Sequence, residues 1–416
     1  MRIRGRNLKV TVAGKWFFLA AFISSCFLFW WLPSFLFRFV VQMADPVEDE
    51  ILATSFFALA LFIAGYLLPA RATSRQRIPE TLTDTCENLA YKATVLLFVP
   101  ALPVAIVVWH SVAGGVGEMG GHIPGAAQAL LYTHLFFGFM FFGAARPEKD
   151  GWRRVVIAEL LVTLPRLIIS LHGGRFFLAQ AVVPAVLISI ARGWLRFSAV
   201  RIVQIAALAL AIIFVPAITR GGADLSGSSG LVDFIAGGSS LRLFQDNQDL
   251  NLNGRCPPLF VSITAKTIPY SALGVCVLDD FAGLKNLPAT AGRIITDSDP
   301  GSFHGTTSGT GSNYLIELYL AGGNLAIFAG SAVFGFSCRR FIGWIGRRSL
   351  FSGIWAECLT RALFAPRGEL GYVFERIPSL VLASLAVVLL VWLARLLQID
   401  YAGGRRAGTP LLRGAQ

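Results

Sequence analysis

Charged side chains set inside apolar stretches carry the strongest chemical signal in this sequence. Arg166 follows Pro165 within an apolar run, His172 and Arg175 occupy the tight connection LHGGR, and Glu317 lies in SNYLIELYLAGG. Arg361, Arg367, Glu369 and Arg376 surround the connection RALFAPRGELGYVFER. Such groups are costly in hydrocarbon, so they face a protein interior or a pathway. A cluster of guanidinium groups suits a diphosphate, because each offers a rigid fork of donors to phosphate oxygens. A carboxylate such as Glu317 can serve as base towards a sugar hydroxyl when its surroundings tune its proton affinity. Structural roles compete with each reading. Arg175, Arg367 and Arg376 would also snorkel to lipid headgroups, and Glu317 would also pair with an arginine and lock two helices.

Placing these groups requires a membrane bundle. Of the 416 residues 55% are hydrophobic and only 14% charged, with a mean hydropathy of +0.64, whereas a soluble domain carries about 25% charge. The apolar runs are continuous rather than alternating, which argues against a β-barrel and for one all-α polytopic membrane domain over 1–416. Ten spans are expected, at 16–40, 50–69, 93–112, 127–144, 155–171, 176–192, 200–218, 312–336, 349–365 and 377–395. The first is too long and continuous for a typical cleaved signal peptide. Trp30, Trp31 and Trp109 read as anchors at the membrane–water interface.

Charge orients this bundle. Arg2, Arg4, Arg6, Lys9 and Lys15 open the chain without an acid, and alternate loops continue the pattern through Arg71 to Lys92, Arg146 to Arg154, Arg192 to Arg201, Arg339 to Arg348 and Arg395 to Arg413. The opposite side carries Asp45, Glu48, Asp49 and Glu50. Basic loops stay in the cytoplasm, so both termini are expected there, with Arg166, Arg175, Glu317, Arg361, Arg367 and Arg376 near the external surface. The net charge of +12 is then mainly a topology signal. The basic residues are scattered over short loops, which disfavours nucleic acid as a partner.

One long external segment, 219–311, interrupts the pattern. It is rich in Gly and Ser at Gly221–Ser240, apolar at Pro257–Leu278, and again Gly-, Ser- and Thr-rich at Asp297–Ser312, where His304 lies. The apolar part would lie on the bundle mouth or re-enter it. Cys256 and Cys276 both fall in this segment, where an oxidising compartment permits a disulfide. The other four cysteines lie in or near helices or on the cytoplasmic side, and there is no CxxC, no metal-ligand cluster, and no Walker A or HExxH motif. No cofactor is expected. The cytoplasmic segments are too short to house an ATPase domain, so energy must come from a gradient or from the substrate.

Three segments carry a family resemblance. LHGGRFFLAQAVVPAVLISIARG, GTTSGTGSNYLIELYLAGGNLAIFAG and RALFAPRGELGYVF resemble, in this order, regions of the bacterial polysaccharide repeat-unit polymerases of the Wzy type. Those regions are the one leading into a central span, the one after the long periplasmic loop, and the last periplasmic turn. The O-antigen ligases share the general plan. The resemblance implies a GT-C-like fold in the bacterial inner membrane. It implies an active site facing the periplasm, with undecaprenyl-diphosphate-linked oligosaccharides as substrates and no metal. The growing glycan would pass from its lipid carrier to the non-reducing end of a new repeat unit. Arg175 and Arg367 match arginines that hold diphosphates in the family. Arg166, His172, Tyr314, His304, Arg361 and Arg376 would contact substrate, and Glu317 would act on the acceptor. A chain-length regulator and a flippase are the implied protein partners. The short, glycine-rich GGR turn departs from the family pattern.

The chemistry fits these residues. Cleaving a sugar–diphosphate bond develops charge on the leaving phosphate, which arginines stabilise, and a single displacement would invert the anomeric centre. Two alternatives remain. His304 keeps open a ligase transferring glycan to the lipid A core. A lipid-linked sugar transporter would place polar residues near the midplane and show an internal repeat, and neither is evident.

Overall fold

Segments this apolar have few side chains able to satisfy backbone groups, and a helix satisfies them within the segment itself. The computed structural model describes residues 2–36, 47–69, 80–112, 125–171, 175–195, 240–246, 313–368, 370–374 and 377–407, and among them no strand occurs. Helix α1 (Arg2–Cys26) runs into a π-helical turn, Phe27–Trp31, and then α2 (Leu32–Leu36). Next come α3 (Asp49–Leu67), α4 (Glu80–Val112), α5 (Gly125–Ala144), α6 (Pro147–Ser170) and α7 (Arg175–Ala191). From the long segment 219–311 only α8 (Ser240–Asp246) is described. The C-terminal part holds α9 (Tyr314–Ile345), α10 (Ser352–Phe364), a 3₁₀ turn at Ala365–Arg367, α11 (Leu370–Phe374) and α12 (Ile377–Ala407).

The expected ten-span, GT-C-like plan does not hold. Among the described residues four helical stretches are long and apolar enough to cross a membrane: Gly14–Phe35, Asp49–Leu67, Glu80–His110 and Tyr314–Ile345. Ala129–Ala144, Phe177–Ala191 and Leu380–Ala394 are shorter apolar helices. Among the described residues helices also cover the other expected stretches except 200–218, and three of them have a local reason to fall short. Helix α6 carries Glu148, Lys149, Asp150, Arg153, Arg154, Glu159 and Arg166, too much charge for a lipid-exposed span. Helix α7 has 17 residues and α10 only 13, with Glu357 and Arg361 inside it. The stretch 200–218 lies outside the described residues. The fold of the described residues is therefore that of an all-α, multi-pass membrane protein with four candidate spans among them.

Two close contacts organise its core. Helix α3 runs alongside the later part of α9 in the same direction, shown by the ring pairs Phe57–Phe328 and Phe62–Phe334 and by Arg339 over Tyr66. Gly65 meets the Ala332 carbonyl and Gly335 meets the Phe62 carbonyl so closely that any Cβ would overlap them. Small residues allow such backbone approach where packing, rather than water exclusion, drives helix association. Phe18, Phe22, Phe62 and Tyr66 continue this seam as stacked rings, with Phe22 and Phe62 only 3.9 Å apart.

One end of the bundle is tied by arginines. Arg192, just past α7, donates to the carbonyls of Phe142, Gly143, Ile345 and Arg347. It thereby satisfies orphan acceptors at the ends of both α5 and α9. Arg348 meets Asp84 and Glu87 at 2.5 and 2.7 Å. The residues with chemical potential lie towards the opposite end.

Candidate functional site around a re-entrant helix

The residues after the long segment form a helix that does not run straight. Asn313 caps it, its side-chain oxygen accepting from the Ile316 N–H at 2.9 Å. At Gly322 and Gly323 the backbone leaves helical geometry, and Gly323 adopts φ 64° and ψ −155°. That combination is essentially closed to residues with a Cβ. Downstream of this break the chain folds back. The rings of Tyr314 and Phe334 lie 5.5 Å apart, although in an unbroken helix they would be separated by roughly 30 Å. Leu318 likewise abuts Gly330. The short arm 314–321 thus lies against the long arm of α9, and its first residues sit in the interior. Asn313, Tyr314, Leu315 and Glu317 are all fully buried. The long arm 324–345 alone retains enough length for a span.

Helix α8 packs beside this arm. The Asn313 amide donates to the Ser240 carbonyl, the Phe244 and Tyr319 rings meet at 5.5 Å, and Gln245 accepts from the Glu48 N–H. Ser240, Leu241 and Phe244 are buried. A piece of the long segment therefore enters the bundle, at a place other than the apolar stretch Pro257–Leu278, which lies outside the described residues.

Trp30 joins this arm to the Pro-Arg turn. Its ring centroid lies 5.5 Å from that of Tyr314, and its indole N–H donates to the Pro366 carbonyl at 2.8 Å. Ser25 donates to the Leu363 carbonyl beside it. Arg367, in the same turn, is exposed and stands over the Phe29 ring at 5.6 Å. The expectation that Trp30 and Trp31 anchor at the interface is corrected. Trp30 is fully buried, and Trp31 is buried with its indole on Ser55 at 3.0 Å. The π-helical turn at Phe27–Trp31 takes up an extra residue through i→i+5 bonding, and such insertions recur at functional sites.

The arginines separate into distinct environments. Arg361 is buried and meets Glu357 at 2.8 Å, and Gln180 of α7 donates to the same carboxylate oxygen at 2.9 Å. Arg166 is also buried. It donates to the Leu131 carbonyl at 3.0 Å and faces the rings of Tyr132 and Phe177. Both arginines sit inside the protein rather than at an open rim. Arg175 is the first residue of α7. Its helix packs against α10, with Phe364 set against Leu178 and Ala179, so the start of α7 lies beside the end of α10. His172, His304, Glu369, Arg376, Cys256 and Cys276 lie outside the described residues.

Sequence reasoning overlooked Gln180 and Glu357 and placed Trp30 at the interface rather than in the core. A signal existed for Glu357, since it stands four residues before Arg361 in an apolar helix and the two must share a face. Gln180 was visible only as one polar residue in an apolar run. Nothing local marked Trp30 for this role, because Tyr314 and Pro366 are more than 280 positions away. Among the described residues no group of three or more His, Cys, Asp or Glu is arranged to hold a metal ion.

Residues 297–398 match the family model of the O-antigen polysaccharide polymerase Wzy. That stretch contains the re-entrant arm with Glu317, the Glu357–Arg361 pair and the Pro-Arg turn. No curated protein and no solved structure matches the chain.

Proposed function

We propose that this protein polymerises lipid-diphosphate-linked oligosaccharide repeat units at the outer face of a bacterial inner membrane. One observation carries the reading. The part of the chain that matches the polymerase family holds both the buried arm bearing Glu317 and the turn bearing Arg367, and Trp30 joins the two. In this reading Arg175 and Arg367 bind the diphosphates of undecaprenyl-linked donor and acceptor. The arginine fork stabilises charge on the leaving phosphate as the sugar–oxygen bond breaks. Glu317 takes the proton of the acceptor hydroxyl, and a single displacement inverts the anomeric centre. The leaving diphosphate supplies the driving force, so no nucleotide takes part, and the family resemblance implies that no metal does either. Both termini lie in the cytoplasm, on the side of Arg192 and Arg348. A flippase would deliver the repeat unit and a chain-length regulator would bind the same protein.

The test is elongation of a lipid-diphosphate-linked oligosaccharide by the purified protein, without nucleotide and with a chelator present. A ladder of products is expected. Strict dependence on a nucleotide sugar would overturn the reading, and transfer only to a lipid A core acceptor would replace it with ligation.

A further inference from the structure

The Gln180–Glu357–Arg361 cluster is a polar island between two apolar helices, α7 and α10. All three side chains are buried, at 1%, 2% and 3% exposure. Glu357 Oε1 accepts from Gln180 of α7 and from Arg361 of its own helix, while Glu357 Oε2 and Gln180 Oε1 have no hydrogen-bond partner. An ion pair this deep gains little over apolar packing, and unpaired acceptors add a further cost. Retaining it needs a purpose that leucines would not serve. Position supplies one. Gln180 stands five residues after Arg175 and Glu357 ten before Arg367, roughly 8 and 15 Å along helical backbone. The tie therefore spans the two helices behind the ends that carry these arginines. It is directional as well: a hydrogen bond between an amide and a carboxylate fixes helix rotation and register, which apolar side chains leave freer to slide.

We propose that Gln180 and Glu357 are positioning residues that fix the spacing between the start of α7 and the end of α10, and thereby between Arg175 and Arg367. This rests on the proposed role of those two arginines in binding diphosphate. Glu357 sets the tie by accepting from both helices, and Arg361 balances its charge. The arrangement assigns Arg361 to holding the frame in place.

Gln180→Leu is the cleanest test, because it breaks the tie between helices and leaves the Glu357–Arg361 pair intact. Glu357→Gln is the second variant, keeping shape and an acceptor while removing the charge. Hydrogen exchange of the full-length protein in nanodiscs reads the spacing without reference to activity. At least tenfold faster exchange is expected at both 176–180 and 362–368 in Gln180→Leu, with 130–140 unchanged. Faster exchange in α10 alone, or in neither helix, overturns the tie. Undecaprenyl diphosphate serves as the binding probe. Gln180→Leu should weaken its binding about tenfold in the wild-type background and less than twofold on top of Arg367→Lys. Equal losses in both backgrounds overturn the positioning role even if the protein proves to be a polymerase. Exchange that rises at both ends, in a protein whose wild type does not bind the probe, upholds the tie and defeats the diphosphate reading.

Discussion

The Trp30 indole donates to the Pro366 carbonyl at 2.8 Å, across 336 positions of the chain. Because Trp30 also packs on Tyr314, one fully buried side chain sets the distance between the re-entrant arm and the Pro-Arg turn. Trp30→Phe keeps a ring against Tyr314 and removes the donor. The unpaired carbonyl should cost about 1–3 kcal/mol, read as a lower melting temperature in detergent. Elongation should fall further than that loss of folded protein accounts for, because the turn carrying Arg367 is no longer held. Wild-type activity in a folded Trp30→Phe protein would separate Trp30 from the site.

Arg175, Arg367 and Glu317 should respond differently to conservative replacement. Lysine keeps the charge and loses the fork, so Arg175→Lys and Arg367→Lys should lower the elongation rate by about 10²–10³ at normal membrane abundance. Glu317→Gln should retain binding of lipid-linked substrate and lose turnover. Binding, elongation and abundance measured together decide the matter. Near-normal elongation by Glu317→Gln would remove it as the base, and near-normal elongation by both lysine variants would return the arginines to headgroup contact.

Gly323 tests the re-entrant arm itself. A Cβ at this position would meet nothing within 4 Å, so space is not the constraint. The backbone is, at φ 64° and ψ −155°. Gly323→Ala should cost on the order of 1–3 kcal/mol through strain alone. Gly335→Ala has the opposite cause, since its methyl would strike the Phe62 carbonyl backbone. It should lower thermal stability by forcing α3 and α9 apart. Cross-linking between cysteines placed at Phe57 and Phe328, whose rings lie 6.3 Å apart, should weaken in Gly335→Ala and persist in Gly323→Ala.

Arg192 predicts a purely structural loss. Its guanidinium reaches carbonyls at the ends of α5 and α9 simultaneously, and an ammonium cannot reproduce that fan of donors. Arg192→Lys should lower the melting temperature, while the activity of each remaining folded molecule stays near wild type. A rate lost without loss of stability would place Arg192 in the catalytic pathway.

Orientation can be read by labelling single cysteines in intact cells. A probe at 230 should react with an impermeant reagent and one at 74 should not. Labelling at 74 would invert the proposed sidedness.

The membrane class and most helix positions were legible in the sequence, because hydrophobic transfer energy and backbone self-satisfaction act within one segment. The candidate chemistry was partly legible for the same kind of reason: Glu317, Arg361 and Arg367 stand out as charges in apolar surroundings, and residues 297–398 carry a family pattern. Span number was not, because a helix's presence does not establish that it crosses, and charge within α6 and the short lengths of α7 and α10 decide against it. Tertiary structure alone decided the rest. It turned Trp30 and Trp31 inward, set Gln180 on Glu357, and folded the arm 314–321 back on its own helix. Each of these depends on a partner distant in sequence or on the sharp break at Gly323. Local periodicity carries no record of which apolar faces meet, so those contacts become visible only when the helices are packed.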